Sequence, residues 1–307
     1  MRNHFADTFY ELGKKDPRLC IVVADISPAG SIAKFREEFP ERFINTGVAE
    51  QAMIGIAAGM ALRGMQPFTY TIATFALYRP FEFVRVDIGY QELPVTIVGI
   101  GAGVTYSTLG GTHHAMEDVS IASSIPTMSV LAPCDPLETE WATRWCATQK
   151  EGPVYLRLGK AGEPCFTHDL KEPFIFGKIR TVKEGKDTCI LTYGPTMKKA
   201  IELADYMKSK NNESVSVVSC HTIKPLDKEG ISRILTKFNR VIVLEEHVPH
   251  GGLGSRVKEL AWDSGAHTDL KCFSLKEKFI HVYGSHDDIL DAHGLSVQKI
   301  YSELERR

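Results

Sequence analysis

Short runs of β-branched and other apolar residues alternate with amphipathic stretches along nearly the whole chain, and this rhythm constrains the fold more than any other feature. Apolar runs fall at 19–24, 42–46, 67–73, 94–100, 128–132 and 153–158. Helical segments lie between them at 48–62, 74–90 and 117–124, and another starts at Asp135, with Glu138 at capping-box spacing. Strands apolar on both faces and separated by helices build a parallel sheet covered on both sides. Glycine and proline (Gly159, Gly162, Pro164, Pro173, Gly177, Gly185) break the pattern between 159 and 186, where only a short strand at 174–179 is expected. The alternation then resumes, with strands at 188–192, 214–219, 240–245 and 270–274 and helices at 196–210, 227–238, 254–262 and from Asp287. The expectation is an α/β protein of two three-layer domains with mainly parallel sheets. These are residues 1–160 and 187–307, joined by a linker at 161–186.

Composition removes several function classes. With 36 Lys and Arg against 38 Asp and Glu, the net charge of −2 gives no electrostatic reason to bind nucleic acid or an anionic membrane. The best apolar run, 52–62, ends at Arg63, well short of the roughly 20 residues that span a bilayer. The first residues carry no apolar core after Arg2 and do not read as a signal peptide. The 7 cysteines are scattered, with no C-x-x-C pair. They read as reduced thiols of a cytoplasmic protein, with neither a disulfide framework nor a zinc site, and no metal ligand is assigned.

Four segments can carry chemistry. In Asn45-Thr46-Gly47-Val48-Ala49-Glu50-Gln51 a strand gives way to a helix, the place where parallel sheets hold their sites. Two readings of Glu50 stay open. With Gly47 as N-cap it is a first-turn capping carboxylate. Leading a helix apolar on all sides, it is partly desolvated, which favours the protonated form that acid–base work needs. The same helix carries Gly55 and Gly59 four apart, which implies close approach of a neighbouring backbone.

Phe75, Tyr78 and Phe81 recur every third residue, either as core packing or as a stacking pocket for a planar heterocycle. The run Gly99-Ile100-Gly101-Ala102-Gly103, continuing to Gly110-Gly111-Thr112-His113-His114, lacks the spacing of a dinucleotide fingerprint and reads as a substrate loop. One of the two histidines is either a solvated loop residue or a proton donor. Glu245-Glu246-His247 with Gly251-Gly252-Leu253-Gly254 is either an anion cradle or a tight turn. No G-x-x-x-x-G-K-[ST] loop and no G-x-S-x-G elbow occurs.

In this order the segments resemble the thiamine diphosphate enzymes of the transketolase family. The resemblance covers the whole chain and is to the family's C-terminal half, the pyrimidine-binding domain followed by the C-terminal domain. Asn45-Thr46-Gly47-Val48-Ala49-Glu50-Gln51 resembles the catalytic glutamate motif. Thr74-Phe75 with Tyr78 resembles the aromatic pyrimidine pocket, and Gly111-Thr112-His113 the G-P-T-H loop. Ile223-Lys224-Pro225-Leu226-Asp227 and Glu245-Glu246-His247 resemble the C-terminal markers.

The resemblance implies that Glu50, protonated, bonds the aminopyrimidine ring of thiamine diphosphate. Phe75 and Tyr78, with Phe81, would hold that ring, and His113 would stabilise a developing alkoxide. Arg157 stands where a phosphate-binding arginine is expected. The family's G-D-G magnesium motif does not occur here. The chain therefore resembles the C-terminal chain of a split transketolase, needing an N-terminal diphosphate-binding chain that holds the magnesium, in a heterotetramer. Three departures put the usual phosphoketose site in question: Leu109 for an Asp, Gly101 for a His and Ala29 for a Ser. The implied reaction moves a two-carbon ketol unit from a ketose to an aldose. The alternatives are the beta chain of a 2-oxo-acid dehydrogenase, 1-deoxyxylulose-phosphate synthase chemistry, and a regulatory subunit without turnover.

Overall fold

A computed structural model describes residues 1–26 and 30–306; Ala29 lies outside the described residues. The strands of the N-terminal half are β1 (Leu19–Val23), β2 (Phe43–Asn45), β3 (Gln66–Ile72), β4 (Thr96–Ile100), β5 (Ser129–Leu131) and β6 (Val154–Leu158). Those of the C-terminal half are β7 (Arg180–Lys183), β8 (Thr188–Thr192), β9 (Val215–Ser219), β10 (Thr222–Lys224), β11 (Arg240–Leu244) and β12 (Asp269–Phe273).

The first sheet has seven strands in the order β10-β5-β6-β4-β3-β1-β2, and the second has five, β12-β11-β8-β9-β7. Pairing is parallel except at two edges, where β10 runs antiparallel to β5 and β7 to β9. The expected strand at 174–179 forms slightly later, as β7. More consequentially, β10 leaves the C-terminal half to complete the first sheet.

Each sheet is buried on both faces, as its apolar strands require. On one face of the first sheet lie α1 (Arg2–Gly13), α2 (Ser31–Glu38) and, later in the chain, Pro136–Thr148. The rings of Phe5, Phe9, Phe35, Phe68 and Tyr70 meet there at 5.0–6.2 Å. The other face carries α3 (Glu50–Leu62), α4 (Ala73–Leu77), α5 (Phe81–Phe83) and α6 (Asp118–Ser124). In the second half α8 (Met197–Asn211) and α12 (Val297–Leu304) cover one face, α9 (Lys228–Lys237) and α10 (Leu253–Asp263) the other. Pro136–Thr148 is α7 in chain order, and His286–His293 is α11. The core under α3, α4 and α6 runs on through Val218, Ile223 and Ile231 into the second half, so one apolar layer crosses both sheets.

The helix expected at 74–90 is broken into three pieces. Pro80 has no N–H to donate and disfavours helical geometry at Arg79, so the chain turns there. It resumes as α5 and then a π-helical segment, Val84–Tyr90. Phe75, Tyr78 and Phe81 therefore do not share one continuous helix face, and Phe81 packs against the core.

Buried polar groups hold the halves together. Arg157 on β6 is fully buried: Nε donates to Asp118 at 2.8 Å, and Nη2 to the Glu246 carbonyl at 3.0 Å. Tyr155 adds a 2.7 Å bond to the same Asp118 oxygen. A second buried pair joins Arg180 to Glu138 at 3.1 Å. Asp135 caps α7 through the Glu138 N–H at 2.8 Å. The Glu138 carboxylate does not close a capping box; it accepts from the Cys134 N–H and the Ser219 hydroxyl. All seven cysteines are free thiols. Among the described residues no helix is long and apolar enough to cross a membrane.

Removing Arg157 leaves Asp118 buried without its counter-charge. Arg157→Met is expected to lower the unfolding free energy by about 3–5 kcal/mol, read as a fall in urea midpoint. Arg157→Met with Asp118→Asn should recover much of that loss, and a wild-type midpoint for the single variant would show the pair idle.

Candidate active site

β2 ends at Asn45, whose side chain accepts from the Gly47 N–H at 2.9 Å, and the Thr46 N–H reaches the Val23 carbonyl at 3.0 Å. Gly47 has φ +67°, a left-handed turn that glycine adopts without strain. Ala49 is the N-cap of α3 and offers no side-chain bond, so Glu50 opens the helix. Its carboxylate does not cap the backbone. Only 2 % exposed, it accepts two bonds from Arg79 Nη1, at 2.8 and 2.9 Å.

The turn at Pro80 sends Arg79 back over α4, where its guanidinium lies 4.4 Å from the centre of the Phe75 ring. Phe75 meets the His113 ring edge-on at 5.2 Å. Tyr78 donates to the Glu117 carboxylate at 3.0 Å and accepts from the Glu117 N–H, and burial raises its pKa. Beside them is a cavity of about 620 Å³ lined by Thr74, Phe75, Tyr78, Arg79, His114 and Glu117, with Phe279 at one side. Phe81 is not part of its wall.

The sequence singled out His113, but the histidine in the cavity wall is His114. His113 stands beside it, with Nδ1 2.8 Å from the Thr112 hydroxyl. A bridge pairing Gly103 with Ala115 fixes the loop and sets which of the two turns inward. Burial lowers the pKa of both histidines. His114 Nε2 and the Thr74 hydroxyl are buried without a hydrogen-bond partner in the described structure, and both residues line the cavity.

The glycine-rich loop is shaped by its neighbours and not by a nucleotide. At Gly101 (φ +84°) the Tyr106 ring fills the space a Cβ would need, and at Gly103 (φ +60°) the Glu246 carboxylate does. Glu246 accepts from the Val104 N–H and lies 3.0 Å from His286 Nε2. The anion cradle before α10 is already filled. Glu245 accepts from the N–H groups of Leu253 at 2.8 Å and Gly254 at 2.9 Å, and burial raises its pKa.

Arg157 lies elsewhere: it is fully buried, paired with Asp118 and not among the residues that line the cavity. Sequence reasoning missed Arg79 and Phe279. Arg79 could have been found from the Arg-Pro step that ends the helix; Phe279, from the C-terminal half, carried no signal.

Among the described residues no group of three His, Cys, Asp or Glu side chains is placed to hold a metal ion. Residues 1–162 match the transketolase pyrimidine binding domain and residues 177–300 the transketolase C-terminal domain. A putative transketolase C-terminal section from Methanocaldococcus jannaschii is 36 % identical over 99 % of this chain and 95 % of its own. One subunit of an apulose-4-phosphate transketolase from Phocaeicola vulgatus is 31 % identical over 97 % of this chain and 94 % of its own. Among solved structures, a split gene transketolase described as an inactive beta4 tetramer superposes with TM-score 0.86 at 31 % identity, covering 99 % of this chain and 96 % of that one.

A pH dependence follows from the histidines behind the loop. His293 accepts from the Lys276 N–H at 3.0 Å, and burial together with nearby Lys276 lowers its pKa to about 4. Unfolded, it titrates near 6.5. As pH falls from about 6.5 through 4 the unfolded chain takes up a proton that the native state refuses, and stability on the order of 2–3 kcal/mol is lost. His286, whose pKa Glu246 raises, acts in the opposite sense, contributing stability below 6.5 that is lost as pH rises through its own pKa. Urea midpoints measured across this range should fall less steeply for His293→Asn than for wild type.

Proposed function

The chain belongs to the transketolase family, and from that premise we propose that it is the C-terminal subunit of a thiamine diphosphate-dependent transketolase. It transfers a two-carbon ketol unit from a ketose sugar to an aldose. One observation carries this reading. A buried carboxylate, Glu50, is bonded to Arg79 in the wall of an aromatic-lined cavity, and two buried polar atoms of that wall, Thr74 Oγ1 and His114 Nε2, have no hydrogen-bond partner among the described residues. These residues fit a flat, partly polar heterocycle, which needs an aromatic face, an edge donor and a dry wall.

Thiamine diphosphate, when bound, supplies a thiazolium carbon that becomes a nucleophile on losing its proton and acts as the electron sink for the two-carbon unit. Glu50 would hold a proton at its carboxyl oxygen against the aminopyrimidine ring nitrogen, in a site dry enough to make that bond strong. Phe75 and Tyr78 would hold the ring face and exclude water, with Tyr78 locked by its two bonds to Glu117. His113 would lie at the substrate side. His114, kept neutral by burial, has Nε2 free to bond a hydroxyl or a developing alkoxide there.

The diphosphate and its magnesium would be held by a separate N-terminal chain. The outer face of α3 suits such a partner. Val48 is 69 % and Leu62 62 % exposed, and a Cβ at Gly55 or Gly59 would meet nothing within 4 Å. The close neighbour that those glycines imply is thus not among the described residues. The working form would be a heterotetramer of two chains of each kind, with obligate interfaces burying more than about 2,000 Å².

Two outcomes are expected. Reconstituted with its partner, Glu50→Gln should slow deuterium exchange at the thiazolium carbon at least roughly 100-fold with the fold intact, whereas a purely structural Glu50 would leave the exchange rate unchanged. The isolated chain should show no ketol transfer, and light scattering of the active pair should give a tetramer mass; turnover by the single chain would overturn the two-chain reading.

A further inference from the structure

Arg79 lines the cavity, yet the reaction proposed above gives it no task. Its guanidinium is held by two contacts: Nη1 on both oxygens of Glu50, at 2.8 and 2.9 Å, and the face of Phe75 at 4.4 Å. Among the described residues Glu50 is its only side-chain hydrogen-bond partner. Its side chain is 40 % exposed, while that of Glu50 is 3 % exposed, so the arginine has a way out to solvent and the glutamate does not.

A guanidinium is flat, stacks on aromatic rings and presents N–H groups at its edge to a carboxylate. An aminopyrimidine is also flat, with a ring nitrogen and an amino group around one amidine carbon. Each therefore meets the same two partners, the Phe75 face and Glu50, and both cannot be there at once. The guanidinium donates to the carboxylate, whereas the ring nitrogen accepts from the protonated carboxyl, so Glu50 takes up a proton from solvent as the arginine leaves. A carboxylate buried this deeply without a partner is costly, which is a reason for the empty pocket to need a stand-in.

We infer that Arg79 is a positioning residue that keeps the cofactor's place. In the free chain it fills the space between Phe75 and Glu50 and holds the carboxylate where the ring will find it. It swings out to solvent when the ring enters. The exchange makes cofactor binding competitive with an internal group, so the apparent affinity is reduced by the fraction of chains in which Arg79 is already out. The inference rests on the reading of Glu50 and Phe75 as the ring's partners.

The test is calorimetric titration of thiamine diphosphate into the complex reconstituted from both chains, with Arg79→Ala and, should that variant fold poorly, Arg79→Gln. Either substitution is expected to tighten binding, by about tenfold if the arginine is in place in nine chains of ten. Inorganic pyrophosphate, which lacks the ring, should bind wild type and variant equally. Weaker thiamine diphosphate binding by the variants would make Arg79 a direct cofactor ligand, and unchanged binding would make it a spectator; either overturns the inference. A second readout uses the chain alone. Arg79→Ala should lower its thermal midpoint, and adding Glu50→Gln should restore part of the loss; no loss in Arg79→Ala counts against the place-keeping role. Failure of the underlying reading is distinguished by Glu50→Gln alone. If it binds cofactor and exchanges deuterium as wild type does, Glu50 is not the ring's partner, whatever Arg79 does.

Discussion

The ion pair between Asp118 and Arg157 lies at the point where the structure's separate demands meet. Asp118 opens α6 immediately after Glu117, the residue that locks Tyr78 in the cavity wall. Arg157 comes from β6 in the middle of the first sheet and reaches carbonyls on the glycine-rich loop and on the segment after β11. Two full charges without access to water survive only with good geometry and further hydrogen bonds, and here Tyr155 and two carbonyls supply them. Such an arrangement contributes little net stability over an apolar core of the same shape. What it gives is position: α6, β6 and the loop cannot slide relative to one another without stranding a charge.

Around that fixed point the second half of the chain reaches into the first. Val248 N–H bonds the Met116 carbonyl at 2.9 Å, and His247 Nε2 accepts from Ser120 N–H at 3.2 Å. Glu246 fills the hollow at Gly103. Ser107 donates to the Gly284 carbonyl at 2.8 Å, next to the segment that brings Phe279 to the cavity. The loop carrying His113 and His114 is thus shaped from behind by the other half, although its sequence looks self-contained.

Much of the fold was legible because the central strands, such as β1, β4, β6, β8 and β9, are buried on both faces, a signal that survives without knowledge of their neighbours. Helix α1 went unread although Phe5, Phe9 and Leu12 have helical spacing; its polar intervening residues hid the pattern. The β10 strand was illegible in principle, because three residues carry no period and its partner lies some ninety positions away. At the site, the motif around Glu50 and the aromatic pair Phe75 and Tyr78 pointed to one place. The choice between His113 and His114 did not, because adjacent residues share composition and only the Gly103–Ala115 pairing separates them. Arg157 and Glu245 were open in the sequence for a common reason: a charged side chain beside a glycine turn looks alike whether it waits for a ligand or satisfies its own chain.

The small strand β10 also bears on how chains of this kind can be recombined. It lies at the outer edge of the first sheet but is encoded between β9 and α9 of the second half. A crossover in the glycine- and proline-rich stretch between the halves would thus exchange more than the rear domain. The hybrid would receive the border strand of its front sheet from one parent and the other six from the other. The two parents would have to agree on the register of Thr222 against Leu131 before the first sheet could be completed.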